Sequence, residues 1–60
     1  MIKINNLPDN FKKYPYTVAR RVDGVLWYWD SFKSRFDANE TALAEGGITY
    51  QTEMVERGEF

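Results

Sequence analysis

A small α+β domain of element order β-β-α-β is the fold class this sequence predicts. Three observations predict it. Asp23-Gly24 separates two runs rich in β-branched and aromatic residues. A segment of good helix formers ends at Gly46-Gly47, and residues 48–55 then alternate between apolar and polar. Each is a local signal with a physical cause, and their order along the chain sets the topology.

The hairpin is the strongest of the three. Tyr16 to Val22 and Val25 to Trp29 flank an Asp-Gly pair, and a two-residue type I′ turn needs positive φ at both central positions, which Asp and Gly tolerate best. With that loop Val22 faces Val25, Arg20 faces Trp27 and Val18 faces Trp29. One side then carries Tyr16, Val18, Val22, Val25, Trp27 and Trp29, and the other Ala19, Arg21, Leu26, Tyr28 and Phe32. A bulged loop would regroup these residues, because a slip of one position turns every side chain over.

Upstream, Asn5 to Asn10 is turn chemistry around Pro8, and Phe11 and Tyr14 are expected to pin this segment to the body. Ile2 and Ile4 alternate weakly, so residues 1–15 read as an arm or a short edge strand. Pro15 biases Tyr14 toward extended backbone and so feeds the first hairpin strand.

Downstream, Asp37 with Glu40 three residues later fits a capping-box start, and Ser34 to Asp37 is a competing start one turn earlier. Ala38, Ala42 and Leu43 suit a helix interior, and Gly46-Gly47 reads as its C-cap. Phe36 and Leu43 share one stripe, with Ala38 and Ala42 beside it to permit close approach to a sheet. The alternation of Ile48, Tyr50 and Met54 against Thr49, Gln51 and Glu53 predicts a half-buried strand to Val55. Residues 56–60 read as a tail, so that residues 1–60 form one domain with its core in 16–55.

A helix joining the second and third strands favours a right-handed crossover, which makes those strands parallel. The first strand then lies between them. One helix covers one face of this three-stranded sheet and leaves the other bare.

Composition limits what such a domain can do. The chain has 60 residues, no cysteine and no histidine, two tryptophans, and eight Lys or Arg against nine Asp or Glu. A domain of this size has a stability of roughly 3–9 kcal/mol and commonly needs a disulfide, a metal or a partner chain. Disulfides are excluded, and zinc has lost its usual ligands. Self-association remains, and an aromatic content of 17% must supply the mass of the core.

The usual general base and the strongest nucleophile are both missing. Asp37 and Glu40 are explained by capping and Asp23 by the turn, which leaves Asp30 alone among the candidate acids. No catalytic residue, no cofactor and no metal site is expected. Gly46-Gly47 lacks the following Lys-Ser/Thr of a phosphate loop. No run approaches the ~20 apolar residues of a membrane span, no signal peptide is recognisable, and absence of cysteine fits the cytoplasm.

Charge is uneven along the chain. Up to Arg21 the balance is basic, with Lys3, Lys12, Lys13, Arg20 and Arg21 against Asp9, and beyond it the balance is acidic. That is well short of the basic stripe of a duplex binder. Arg20 and Arg21 beside Trp27, Tyr28 and Trp29 nevertheless admit two readings. Aromatic and basic groups on a sheet can stack single-stranded bases. The same residue types are also those enriched at protein interfaces.

The Asp23-Gly24 hairpin with its aromatic second strand from Leu26 to Phe32, the short helix ending at Gly46-Gly47 and the strand after it resemble small orphan proteins of phages and prophages in Gram-positive bacteria, over residues 16–55. That resemblance implies a stoichiometric binder of host or phage components rather than an enzyme. The expectation is a non-catalytic protein-binding module, homodimeric, with Trp27 and Trp29 at the contact surface and a further protein as partner. The last strand, rich in Thr and Tyr, offers a second means of pairing with its copy. A single-stranded nucleic-acid binder and an accessory protein of a virion or mobile element are the alternatives.

Overall fold

The computed structural model describes residues 3–59; Met1 and Ile2, half of the expected N-terminal alternation, and Phe60 lie outside the described residues. Along the chain come β1 (Ile4–Asn5), a 3-10 turn (Phe11–Lys13), β2 (Tyr16–Val22), β3 (Val25–Phe32), α1 (Arg35–Glu45), β4 (Gly47–Gln51) and α2 (Thr52–Arg57). The class is a small α+β fold, but the three strands and one helix expected become four strands and two helices. The sheet runs β1-β3-β2-β4, with β1 parallel to β3 and β2 antiparallel to both of its neighbours.

Asp23 and Gly24 sit at φ 52° and 80°, the positive values that a two-residue hairpin turn demands. Val22 pairs with Val25, Arg20 with Trp27 and Ala19 with Tyr28. The ladder then slips. Val18 faces Asp30 instead of the expected Trp29, which becomes the extra residue of a β-bulge. Beyond the bulge the parity of β3 is reversed, so Phe32 lies opposite Tyr16 and leaves the side of Leu26 and Tyr28 to which plain alternation assigned it.

Val18 and Ala19 are adjacent and fully buried, so they must point to opposite faces of the sheet. On one face Val18 meets Ala38 and Ala42 of α1, flanked by Tyr16 and Phe32. On the other, Ile4, Ala19, Leu26 and Val55 form a second cluster, joined by Leu7, Phe11, Tyr28 and Tyr50. The face expected to be bare is therefore covered by the N-terminal arm and α2. Phe11 anchors the arm as foreseen, and the centre of the half-buried Tyr14 ring lies 5.8 Å from the Lys13 ammonium and 6.0 Å from that of Lys33.

Helix α1 starts at the earlier of its two possible caps. Ser34 Oγ accepts the Asp37 N–H at 3.4 Å, so Asp37 is the third residue of the helix and Glu40 lies in its middle, not in a capping box. Asp37 in the first turn still complements the helix dipole. Gly46 ends the helix at φ 67°, its N–H reaching the Ala42 carbonyl. The buried face is the small one, with Ala38 and Ala42 against the sheet. Phe36 and Leu43 stay 69% and 85% exposed. Gly47 is not a cap but the first residue of β4. A Cβ there would stand 2.7 Å from the Ala19 carbonyl oxygen.

The expected strand over 48–55 stops at Gln51. Thr52 turns inward, its N–H bonding the Pro15 carbonyl at 2.8 Å and its hydroxyl lying 2.8 Å from that of Thr17. Val55, three residues on, then falls on the same helical face and reaches the second cluster. Gly58, at φ 72°, closes α2. Part of the expected tail is thus helical, and Arg57 is paired with Glu53 one turn before it and with Glu59 at 3.8 Å. Lys12 and Glu56, 3.4 Å apart, tie the arm to α2 at the surface.

Candidate functional site

The two expected cations and three expected aromatics do not share a surface. Because β2 and β3 alternate, Arg20 and Trp27 lie on the α1 side of the sheet, whereas Arg21, opposite Leu26, and Tyr28, opposite Ala19, lie on the other. Tyr28 is half-buried in the second cluster, and its hydroxyl lies 2.8 Å from Ser31 Oγ. Arg21 is exposed with no tryptophan on its side of the ladder. The five candidates are split by the sheet, three against two.

What gathers on the α1 side is a continuous patch at the outer half of the hairpin. β4 pairs with β2 only as far as Arg20, and α1 lies chiefly over β2 and β4. The α1 side of β3 from Val25 to Trp29 is therefore left without a cover, whereas Phe32 at its far end packs on the α1 cluster. Val22, Val25, Trp27 and Trp29 are all 40–45% exposed there. The Arg20 guanidinium lies 5.6 Å from the centre of the Trp29 ring, which brings the bulge residue to the same patch. Exposed apolar groups grouped in this way mark interaction sites more often than scattered ones do.

Val22 and Val25 complete the patch although they were not among the candidates. Their signal was available: they share the parity of Trp27 across an Asp-Gly turn. The charged neighbours are mixed in sign, with Arg20 beside Asp23 in the turn and Asp30 after the bulge, where Asp30 Oδ1 accepts the Ser31 N–H at 2.8 Å. Asp30, the one carboxylate left unassigned by the sequence, thus has a local structural partner.

Elsewhere the surface carries two open hollows beside β4. One, of about 340 Å³, is lined by Tyr16, Arg35, Asn39, Thr49 and Gln51; the other, of about 450 Å³, by Asn39, Ala42, Leu43, Gly47, Ile48 and Thr49. Thr49 is common to both walls, and its hydroxyl is buried without a hydrogen-bond partner. Among the described residues no three acidic side chains gather where they could hold a metal ion, and no helix is long and apolar enough to cross a membrane. No protein-family model, curated protein or solved structure matches the chain.

Proposed function

We propose that this chain is a non-catalytic binding module that holds a partner protein on the outer half of its hairpin. One observation carries this reading: both tryptophans of the chain stand about half exposed on one uncovered face, beside Val22, Val25 and Arg20. Tryptophan and arginine surrounded by smaller apolar groups are the composition of an interface centre. The partner best suited to it presents apolar side chains to the two indoles and a carboxylate to Arg20. The non-catalytic character rests on a sequence without histidine or cysteine. Absence of cysteine also supports a cytoplasmic setting.

A single-stranded nucleic-acid platform is the competing use of the same rings, favoured by the stacking of Arg20 on Trp29. Against it weigh the position of Arg21 on the opposite face and the nearby Asp23 and Asp30, which leave the patch with one cation and no basic groove. The two uses separate experimentally. Affinity capture from the native host with the wild-type chain and with Trp27→Ala/Trp29→Ala should recover a protein that the variant loses while keeping its far-UV circular dichroism. Retention of the same proteins by both chains would refute the assignment. Quenching of tryptophan emission by an oligonucleotide, with a steep salt dependence, would transfer the site to nucleic acid.

A further inference from the structure

We infer that the outer edge of β4 is a two-fold dimer interface, at which a second copy of this chain adds its own β4 antiparallel and centred on Thr49. The inference does not rest on the hairpin surface, which lies away from this edge, across β2.

Hydrogen-bond parity supplies the first support. The Thr52 N–H bonds the Pro15 carbonyl, which makes that pair, and by alternation Tyr50–Thr17 and Ile48–Ala19, the hydrogen-bonded pairs between β4 and β2. Gly47 and Thr49 therefore turn their N–H and C=O groups, and Gln51 its N–H, outward to an edge with no neighbouring strand among the described residues. The Gln51 carbonyl is at the N-cap of α2 and accepts its first helical bond. In an antiparallel pair centred on Thr49, Thr49 exchanges both bonds with Thr49 of the copy, and the Gln51 N–H of each chain reaches the Gly47 carbonyl of the other.

Side chains fit the same axis. Residues directly opposite in such a pair share a face, so the two Thr49 hydroxyls come together, and Thr–Thr pairs across strands hydrogen-bond. Thr49 Oγ1 has no hydrogen-bond partner within its own chain, and a rotation about Cα–Cβ that turns it toward the seam supplies one. On the reverse face Ile48, 39% exposed, stands opposite Tyr50 of the copy in the closer, non-hydrogen-bonded type of pair.

Helix α1 brings the third support. Asn39 and Leu43 flank the hollow beside β4, and Phe36 lies on the same stripe, one heptad before Leu43. The midpoint of Phe36 and Leu43 is next to Asn39, which sits over Thr49 in both hollows. The axis through Thr49 thus sets Phe36 of one copy against Leu43 of the other. With α1 over β2 and β4, its axis stands ~5 Å from the dyad at the usual strand spacing. The two helices are then ~10 Å apart, the distance at which packed helices bring a Phe against a Leu. Among the described residues these are the two most exposed large apolar side chains.

Finally, the edge lacks the devices that keep edges apart. Gly47 to Gln51 contains no charge and no proline and has no bulge, whereas the opposite edge, β1, is only two residues long.

Sedimentation equilibrium of the full chain at about 100 µM, where a pair of micromolar Kd is almost wholly dimeric, should give twice the 7.1 kDa chain mass. Gln51→Pro removes one outward N–H from a residue already at φ −70°. It should weaken the dimer roughly tenfold or more. Leu43→Lys, at a position 85% exposed within one chain, should do likewise with unchanged circular dichroism. In a chain with no other cysteine, Thr49→Cys should form an interchain disulfide, because opposed residues of a hydrogen-bonded pair have Cα atoms ~5.5 Å apart. A single-chain mass for the wild type at that concentration would overturn the inference. So would a dimer that survives Gln51→Pro and Leu43→Lys but is lost in Trp27→Ala/Trp29→Ala, which would move the contact to the hairpin and leave the binding role of that surface standing.

Discussion

Removing one hydroxyl of the Thr17–Thr52 pair should destabilise the fold more than removing both. The two oxygens are 2.8 Å apart, and the residues are 0% and 4% exposed, so neither hydroxyl can turn to water if its partner is lost. Thr52→Val strands the Thr17 hydroxyl in the interior, and an unsatisfied buried group of this kind costs about 1–3 kcal/mol. Thr17→Val strands Thr52 in the same way. In Thr17→Val/Thr52→Val both polar atoms are gone and the shape is nearly kept, which is close to neutral. The cycle should therefore show a coupling about as large as the two single losses added together, with the double variant more stable than either. For a domain of this length, 1–3 kcal/mol lowers Tm by roughly 4–24 °C.

Thermal and urea unfolding followed by tryptophan emission and far-UV circular dichroism would measure it, at one fixed protein concentration so that self-association does not shift the baseline. A neutral Thr52→Val, or a double variant that loses the sum of the two singles, would refute the account of how α2 is held.

Three further outcomes follow from the backbone. Gly47→Ala forces a Cβ to within 2.7 Å of a main-chain oxygen and 3.3 Å of Val18 Cγ1, and overpacking of this kind costs about 1–3 kcal/mol; a Tm within a degree of wild type would show that β4 can move aside. Gly24→Val meets no atom within 4 Å, so its effect is conformational, about 1–2 kcal/mol for a side chain held at positive φ, read as a lower urea midpoint with an unchanged slope. Ser34→Ala removes the side-chain cap of α1 and should cost ~0.5–1 kcal/mol, with α1 amides exchanging faster near Asp37.

Much of this architecture is written locally, and the parts that are not have identifiable causes. Asp23-Gly24 specifies its turn because few other pairs reach φ 52° and 80° at low cost. Gly46 ends α1 for the same reason. The bulge at Trp29 has no such marker. No glycine or proline signals it, and only the packing of Tyr28 and Phe32, four positions apart on one strand, in opposite clusters requires it. Its effect is large, since it moves Phe32 to the other face. α2 was hidden because Thr52 to Val55 satisfies both a period of two and a spacing of three; a hydroxyl partner 35 positions away decides between them. For the candidate surface, the residue types were legible and so was their sidedness, since plain alternation already set Trp27 and Trp29 apart from Arg21 and Tyr28. How far α1 would cover that side was not. Arg20, Trp27 and Trp29 stay together because they precede or abut the slip, while Arg21 and Tyr28 follow the opposite parity to the far side.

Val18 and Ala19 are neighbours in sequence, yet each is the fully buried centre of a different apolar cluster. β2 is thus a party wall. Peeling α1 away uncovers one side of it, and peeling the arm and α2 away uncovers the other, so neither half of the interior survives as an independent unit once this strand lets go. The amides of β2 should exchange with solvent only through global opening. Unfolding is then a single cooperative event, although the interior is divided in two.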